Sequence, residues 1–552
     1  MLQLEPLQQD ALRLLGVLFH QKGDVDFARH FLRQALQAPA ASAEGCHALG
    51  LAFEDLGCGD DARVAYEKAL QLQPDHPPSL LQFAMACEKE DRLADAESCL
   101  RRLVAIDPHS ALAHLKLATA LEGMNKLEQA QFHAETAVRC APENPEAYLC
   151  LGSILVRRNQ VSDAVPFFNH AVQLDPVASA CATHMLKEVL SEGQRAWEKR
   201  LASDPEDFDA LSSLAKIRYS EKQPLEAIAL LERALAVRPG EPNAEYALGF
   251  AELLLGRFET GWKHYEARLR TGQPQFPNRK FVQPVWRGEE LGGRTIFVHA
   301  EQGVGDTIQF VRYLPRVADR GGRVILECQP ALKPLLENFP GVCEVIVQGE
   351  PLPAFDAQVP LLSLPAIFGM TLKSIPIRVP YLRVPDGVQF ELPAASSARL
   401  KVGLVWAGNP ALQNDLVRSV PLNQLSPLFS RPNIAFFSLQ VGPARKQLAA
   451  ANDAARMIDL QPQLSDFAKT AAAIGQLDLI VSVDTAVAHL AGALAKPVWL
   501  MLPFAPEWRW LLDCENSPWY PTMRLFRQSA PDDWASVVNR IKHELPEFQL
   551  GY

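Results

Sequence analysis

Small and apolar positions recur every 34 residues through the first half of the chain. Prolines keep this spacing at Pro74, Pro108, Pro142 and Pro176. The small residues that keep the same spacing include Ala28, Ala62, Ala96, Ala130 and Ala164. Small residues let two helices approach closely, and proline ends a helix. The pattern therefore predicts repeated pairs of helices, which bury their apolar faces only by stacking on one another.

The second copy resembles the tetratricopeptide repeat most closely, with Leu49, Gly50, Phe53, Ala62, Tyr66, Ala69 and Pro74 in place. Seven copies and an irregular one near 177–208 extend over residues 8–272. The resemblance implies an all-α solenoid whose concave face binds a protein or peptide partner. A spacer or a dimerisation element is the alternative interpretation.

The pattern changes after Thr271. A proline-rich stretch, 273–292, indicates a linker. Short apolar runs then alternate with helical segments, which predicts parallel sheets with helical crossovers. The predicted strands are RTIFVH, RVILEC and EVIVQG in a first lobe, 293–390, and KVGLVWAG, IAFFSLQ, DLIVSVD and PVWLMLP in a second lobe, 400–548.

Composition narrows the classes of partner. The net charge of -10 argues against a nucleic-acid binder, which needs a basic surface. No run of apolar residues is long enough to cross a membrane, and the first residues lack a basic signal-peptide region. The ten cysteines form no Cys-x-x-Cys pair, so we expect buried thiols in a reducing compartment. We therefore expect a cytoplasmic protein.

The first candidate for chemistry follows the first strand of the first lobe, in the order Gly303, Val304, Gly305, Asp306. Glycines allow the backbone to approach a ligand, and the start of a helix favours negative charge. Asp306 would accept a proton from an attacking hydroxyl. The alternative is that Asp306 only caps the helix.

The second candidate follows the strand DLIVSV and contains Asp484, Thr485 and His489. The residues Thr485 and His489 are four apart, which predicts that they share a helix face. Free amides at this helix start would hold a diphosphate, and His489 would add a hydrogen bond or a charge as the nucleotide leaves. The alternative is a helix capped by Asp484.

Two further segments follow strands of the second lobe. Asn409 follows KVGLVWAG, and Arg418 beyond it would clamp a phosphate or form a surface salt bridge. The aromatic segment 503–521 would stack on a sugar or base, or fill the core, and we favour core packing. No Asp-x-Asp motif ends a predicted strand, so we expect neither a metal site nor a cofactor.

The segments GVGDTIQFVRYLP and SVDTAVAHLAGALAKP together resemble the ADP-heptose:lipopolysaccharide heptosyltransferase family. The resemblance implies a GT-B fold of two Rossmann-like lobes, with Asp306 as catalytic base. It also implies that Asp484, Thr485 and His489 lie near the phosphates and sugar of the donor. Ala486 stands where the family has glycine, and AGNPALQNDLVRS replaces its basic segment, so the donor need not be ADP-heptose. Repeats joined to such a domain are also similar in architecture to O-GlcNAc transferase.

We therefore predict a metal-independent glycosyltransferase that uses a nucleotide-sugar donor. Its catalytic residues are Asp306 and His489, and donor binding falls to Gly303, Gly305, Asn409, Arg418, Asp484 and Thr485. The acceptor is a protein held by the repeats, or a glycan if the repeats serve only assembly. The alternative is a non-catalytic scaffold with a degenerate transferase-like domain.

Overall fold

The computed structural model describes residues 8–39, 42–158, 197–273, 279–393, 400–409, 415–430, 433–450 and 457–548, with single residues between 160 and 195. The chain divides into two compact units, Met1–Leu186 and Lys187–Tyr552. The predicted array 8–272 extends across this division, because its last hairpins belong to the second unit. The irregular repeat near 177–208 lies mostly outside the described residues.

The first unit is built from helices that pair as consecutive hairpins, and each hairpin packs on the next. The all-helical solenoid predicted for this part of the chain is confirmed. Its described helices are Gln9–Gln21, Val25–Gln37, Ala43–Asp55, Gly59–Leu72, Pro77–Lys89, Leu93–Ile106, Ala111–Gly123, Leu127–Cys140 and Pro145–Arg157.

The periodic small residues lie where the two helices of a hairpin touch. The five alanines from Ala28 to Ala164 are all buried. Where a hairpin has glycine at the repeat position, that glycine faces a large side chain sixteen residues later, as Gly152 faces Phe168. A Cβ added at Gly152 would stand 2.7 Å from Cε1 of Phe168, closer than van der Waals contact allows. The period therefore reflects close packing.

The turn inside each hairpin repeats the same backbone conformation. Its central residue has a positive φ at Gly23 (82°), Gly57 (69°), Asp91 (59°) and Asn125 (59°), again 34 residues apart. Glycine adopts this region without strain, and Asp and Asn are the side chains that tolerate it best. This signal in the sequence supports the repeat independently of the alanines.

The second unit begins with helical hairpins that pack into its α/β part. Residues 197–203 are helical. Phe258, Trp262 and Tyr265 of the last hairpin are buried in one apolar core with Trp508 and Trp519. The hairpin helices are Phe208–Ser220, Pro224–Val237, Pro242–Leu254 and Phe258–Tyr265, followed by a 3-10 turn, Glu266–Arg270.

The first sheet has four parallel strands in the order β3-β2-β1-β4. Its strands are β1 (Thr295–His299), β2 (Arg323–Cys328), β3 (Glu344–Val347) and β4 (Ala357–Pro360). Short helices connect the first three strands, namely Val304–Phe310, Leu314–Ala318 and Lys333–Leu336, and another, Leu364–Ile367, follows β4. Part of the predicted linker 273–292 belongs to this lobe, because Val285 bridges Gln358 of β4 and Trp286 is buried.

The second sheet has six parallel strands in the order β10-β9-β8-β5-β6-β7. Its strands are β5 (Leu400–Val405), β6 (Ile434–Ser438), β7 (Ile458–Asp459), β8 (Leu479–Val483), β9 (Val498–Leu502) and β10 (Met523–Arg527). Its helices are Asp415–Arg418, Ser426–Phe429, Gln447–Ala450, Phe467–Gly475, Ala486–Ala493 and Trp534–Glu544. The second half of the chain is therefore α/β, as predicted.

Hydrophobic helices suited to a bilayer are absent from the described part of the chain. No helix among the described residues combines the length and the apolar composition that crossing a membrane requires.

Candidate functional site

The candidate residues lie where the strand order of each sheet reverses. In the first sheet β1 lies between β2 and β4, and the chain leaves β1 into the loop that reaches Gly303. In the second sheet β5 lies beside β8, so the loop of Asn409 and the loop of Asp484 and Thr485 leave neighbouring strands. Ligands of open α/β sheets bind in the crevice outside the carboxyl ends of strands at such a point.

The two motifs singled out in the sequence meet directly. The Asp306 helix (Val304–Phe310) packs against the His489 helix (Ala486–Ala493). Gly305 makes this approach possible, because a Cβ added there would stand 3.0 Å from Cδ2 of His489 and 3.6 Å from Cα of Ala486. Residues 180 positions apart in the chain therefore share one site.

Asp306 has partners for both carboxylate oxygens. Its Oδ2 accepts a hydrogen bond from the backbone amide of Gly303 at 3.0 Å, which closes the first turn of the helix. Its Oδ1 accepts a hydrogen bond from Arg509. Burial raises the pKa of Asp306 above its ordinary value, and the charge of Arg509 opposes this shift. The capping interaction and an ion pair with Arg509 of the second lobe are thus both present.

Arg509 joins the two lobes, a role that its position in the sequence did not suggest. Its Nη1 donates to Glu507 at 2.5 Å and its Nε donates to Gln309 of the Asp306 helix at 2.5 Å. The guanidinium also lies over the Trp508 ring, 4.5 Å from its centre. Burial raises the pKa of Glu507 to about 7, despite the neighbouring arginine. The site thus places three carboxylates, Asp306, Asp484 and Glu507, around one arginine.

His489 is neutral at physiological pH. Its side chain is 6% exposed, and burial lowers its pKa to about 3. The Nδ1 atom lies 2.9 Å from the hydroxyl of Tyr520, and Nε2 lies 3.7 Å from Oδ1 of Asp484. The sequence predicts either a hydrogen bond or a charge from His489, and the lowered pKa favours the hydrogen bond.

Asp484 and Thr485 occupy different positions from those that the sequence suggested. Thr485, not Asp484, is the N-cap residue of the His489 helix, so it precedes the helix and does not share a helix face with His489. Oδ2 of Asp484 accepts a hydrogen bond from the indole of Trp510 at 2.9 Å. The Thr485 hydroxyl lies 3.1 Å from that of Ser482. Packing of Asp484 against Trp510 takes its side chain away from the capping position.

Asn409 and Arg418 lie at the end of β5. Arg418 donates to Asp415 at 3.0 Å, and its side chain, 14% exposed, is packed against Gly408. This arrangement is a half-buried ion pair, not a salt bridge on the surface. Residues 410–414, which connect Asn409 to Asp415, lie outside the described residues.

The aromatic segment of the second lobe forms core, as predicted. Trp508, Trp510, Trp519 and Tyr520 are fully buried. Trp510 also stacks on His489 with ring centres 5.4 Å apart. Core packing in this segment therefore also holds the His489 ring in place.

The loop before the Asp306 helix is held by the last hairpin. Arg268, with no exposed side-chain surface, donates to Glu301 at 2.6 Å, and Gln302 donates to the hydroxyl of Tyr265 at 2.9 Å. Glu301 itself is 2% exposed. These contacts fix the loop two residues before Gly303 through groups that do not reach solvent.

Metal ligands do not gather in the described part of the chain. In the ranges given above, no group of three or more His, Cys, Asp or Glu side chains is arranged to hold a metal ion.

Comparison with known proteins identifies the family of the helical repeats but not that of the α/β part. A curated relative, Protein FlbA of Caulobacter vibrioides, is 28% identical over 354 aligned residues, which cover 58% of each chain. This chain thus spans 58% of the length of that relative. A solved structure titled "MamA 41-end from Desulfovibrio magneticus RS-1" is 23% identical and covers 30% of this chain and 94% of its own, with a TM-score of 0.28.

A second solved structure, "First TPR of Spaghetti (RPAP3) bound to HSP90 peptide SRMEEVD", is 25% identical. It covers 22% of this chain and 96% of its own, with a TM-score of 0.21. Family models described as tetratricopeptide repeat match residues 57–121, and residues 115–179 and 190–242. The helical repeats of this chain are therefore tetratricopeptide repeats.

Proposed function

We propose that the chain is a glycosyltransferase that moves a sugar from a nucleotide-diphosphate donor to an acceptor hydroxyl. The observation that carries the proposal is the junction of the Asp306 helix with the His489 helix at the carboxyl edges of two parallel sheets. A base from one lobe and donor-binding groups from the other would meet on one reacting bond there.

The donor belongs to the second sheet in this proposal. The crevice between β5 and β8 is bordered by Gly408 and Asn409 on one side and by Asp484 and Thr485 on the other. The free amides that begin the His489 helix favour a diphosphate, through hydrogen bonds and the helix dipole. The charge of the leaving nucleotide would then be held without a metal ion, as suggested by the lack of an Asp-x-Asp motif at the end of any predicted strand in the second half of the sequence.

The acceptor meets Asp306. A carboxylate whose pKa is raised by burial takes a proton more readily at neutral pH. Asp306 removes the hydroxyl proton as the acceptor oxygen bonds to the anomeric carbon of the sugar. The bond from that carbon to the phosphate oxygen breaks, and the nucleoside diphosphate leaves with the electron pair.

The repeats bring the acceptor to the enzyme in this proposal. Stacked helical hairpins present an extended groove, which suits a polypeptide better than a small molecule. A protein or peptide is therefore the acceptor we propose, held by the first unit.

A transfer assay with labelled UDP-, GDP- and ADP-sugars and a cell lysate tests the proposal. The wild-type chain should transfer label from one donor to a protein of the lysate. Asp306→Asn should lower the rate of transfer by about 10²–10⁴-fold, the usual contribution of a general base. Asp319→Asn, an exposed acid in the same lobe, is the matched control and should keep the rate. Full activity of Asp306→Asn would remove Asp306 from the mechanism, and label in lipid would move the acceptor to a glycan.

A non-catalytic scaffold is the second candidate, and one observation favours it. Both oxygens of Asp306 are engaged, by the Gly303 amide and by Arg509, as in a residue that only caps a helix and closes an ion pair. The scaffold predicts no shift in melting temperature with any nucleotide-sugar, whereas the enzyme predicts a shift with one donor and none with the free sugar.

A further inference from the structure

The two ring nitrogens of His489 have different surroundings. Nδ1 lies 2.9 Å from the hydroxyl of Tyr520, which is fully buried. Nε2 points toward the junction of the two helices, 3.6 Å from the place a Cβ on Gly305 would take and 3.7 Å from Oδ1 of Asp484. Only Nε2 therefore faces the place where a substrate would bind.

The proton of the Tyr520 hydroxyl has one good acceptor. Besides Nδ1 of His489, the Tyr520 hydroxyl has the hydroxyl of Tyr381 as a neighbour, at 3.5 Å. That hydroxyl donates to the carbonyl of Ile308 at 2.9 Å and already accepts from Arg312 at 2.8 Å. Tyr520 consequently donates to Nδ1 of His489, since a hydrogen bond of 2.9 Å is much stronger than a contact of 3.5 Å.

A neutral imidazole that accepts at Nδ1 carries its proton on Nε2. The charged groups that face the ring are Asp484, which favours a charged ring, and Arg509 and Arg312, which oppose it. Arg312 is itself fixed by the carbonyls of Pro376 and Trp519. Trp510 holds the ring from one face and Asp484 from its edge, so the ring has little freedom to turn.

We propose that Tyr520 is a positioning residue that fixes His489 as the tautomer protonated on Nε2, so that the ring offers a neutral donor beside the acceptor Oδ1 of Asp484. A donor and an acceptor side by side match a group that accepts one hydrogen bond and gives one. A substrate hydroxyl fits this pair. The substrate hydroxyl in this proposal rests on the proposed function, whereas the tautomer of His489 does not.

Nitrogen NMR of the full chain, labelled with ¹⁵N-histidine, reads the tautomer without any donor. His489 is identified among the thirteen histidines by the signals that His489→Gln removes. Wild-type protein should show an unprotonated Nδ1 and a protonated Nε2 from about pH 5.5 to 8. Tyr520→Phe should give a mixture of tautomers or the Nδ1-protonated form.

Tyr381→Phe is the matched control, because it removes a hydroxyl from the same cluster that does not bond to His489, and its tautomer should match the wild type. A protonated Nδ1 or a charged ring in the wild type would overturn the proposal, and so would an unchanged tautomer in Tyr520→Phe. If Tyr520→Phe fails to fold, the wild-type spectrum alone decides. A correct tautomer with no transfer from any donor would refute the proposed function and leave this inference standing.

Discussion

Arg509 donates a hydrogen bond to Asp306, and so the second lobe places a positive charge beside a carboxylate of the first lobe. The same guanidinium is held by Glu507 and by Gln309. The proton affinity of Asp306 is therefore set by both lobes together: burial increases it and Arg509 decreases it.

Replacing Arg509 by methionine should shift the pH dependence of transfer. The charge of Arg509 lowers the pKa of Asp306, so its removal raises that pKa and the base becomes protonated at a higher pH. The acidic limb of the kcat/KM profile should move to higher pH. Arg316→Met, which removes a charge that lies over Phe368 in the first lobe, should leave the limb in place. Coincident profiles for wild type and Arg509→Met would contradict the coupling.

Replacing Glu507 by glutamine should change how stability depends on pH. Burial raises the pKa of Glu507 from 4.5 to about 7, so the folded protein holds a proton that the unfolded chain releases in this window. The contribution of Glu507 to stability therefore falls as the pH rises from about 4.5 to 7, and Glu507→Gln loses this component of the slope.

Melting temperatures of the two proteins across pH 4.5–8 measure the effect of Glu507. The melting temperature of the variant should increase relative to that of the wild type as the pH rises. Glu515→Gln, an exposed acid in the same segment, should follow the wild-type curve. Parallel curves for wild type and Glu507→Gln would show that Glu507 ionises normally.

The buried ion pair of Arg268 and Glu301 should show strong coupling in a double-mutant cycle. Arg268→Met leaves the carboxylate of Glu301 buried without its partner and should cost about 3–5 kcal/mol of unfolding free energy. The double variant Arg268→Met, Glu301→Gln should recover part of this loss, because the carboxylate that still lacks its partner, Glu266, is 34% exposed and reaches water. Urea unfolding of the single and double variants measures the coupling, and additive losses would argue against a shared buried pair.

Gly50 should resist substitution where Gly59 tolerates it. A Cβ on Gly50 would overlap the ring of Tyr66, which is fully buried and has no room to move, so Gly50→Ala should cost about 1–3 kcal/mol. A Cβ on Gly59, in the first turn of the next helix, would meet nothing within 4 Å. Gly59→Ala should be neutral or stabilising, by up to about 1 kcal/mol. Equal losses in thermal unfolding would refute the packing explanation of the repeat.

The repeat and most strands could be predicted because each depends on neighbours in the chain. A hairpin of two helices brings Gly50 and Tyr66 together from sixteen positions apart, and this local contact leaves a period in the sequence. The apolar runs of β1 and β8 are buried throughout and therefore stand out. The strands β4, β7 and β10 were missed: AQVP is short and ends in proline, Ile458–Asp459 has only two residues, and MRLFR carries two arginines.

The partners within the site could not be predicted, because they depend on how distant segments pack. Arg509 reaches Asp306 across 203 positions, and no periodicity relates them. Tyr520 and Trp510 stood out only as members of an aromatic segment, which indicates packing. Asp306 and His489 were found from motifs, but the contact between their helices depends on Gly305, whose missing side chain admits the His489 ring.

Hydrogen–deuterium exchange with a panel of UDP-, GDP- and ADP-sugars tests most directly whether both sheets form one donor site. We predict that a single donor slows exchange in two places at once, at residues 303–310 and at 484–493, and that Asp306→Asn keeps the protection at 484–493. Protection in neither segment with any donor, or protection confined to the helical repeats, would contradict the account.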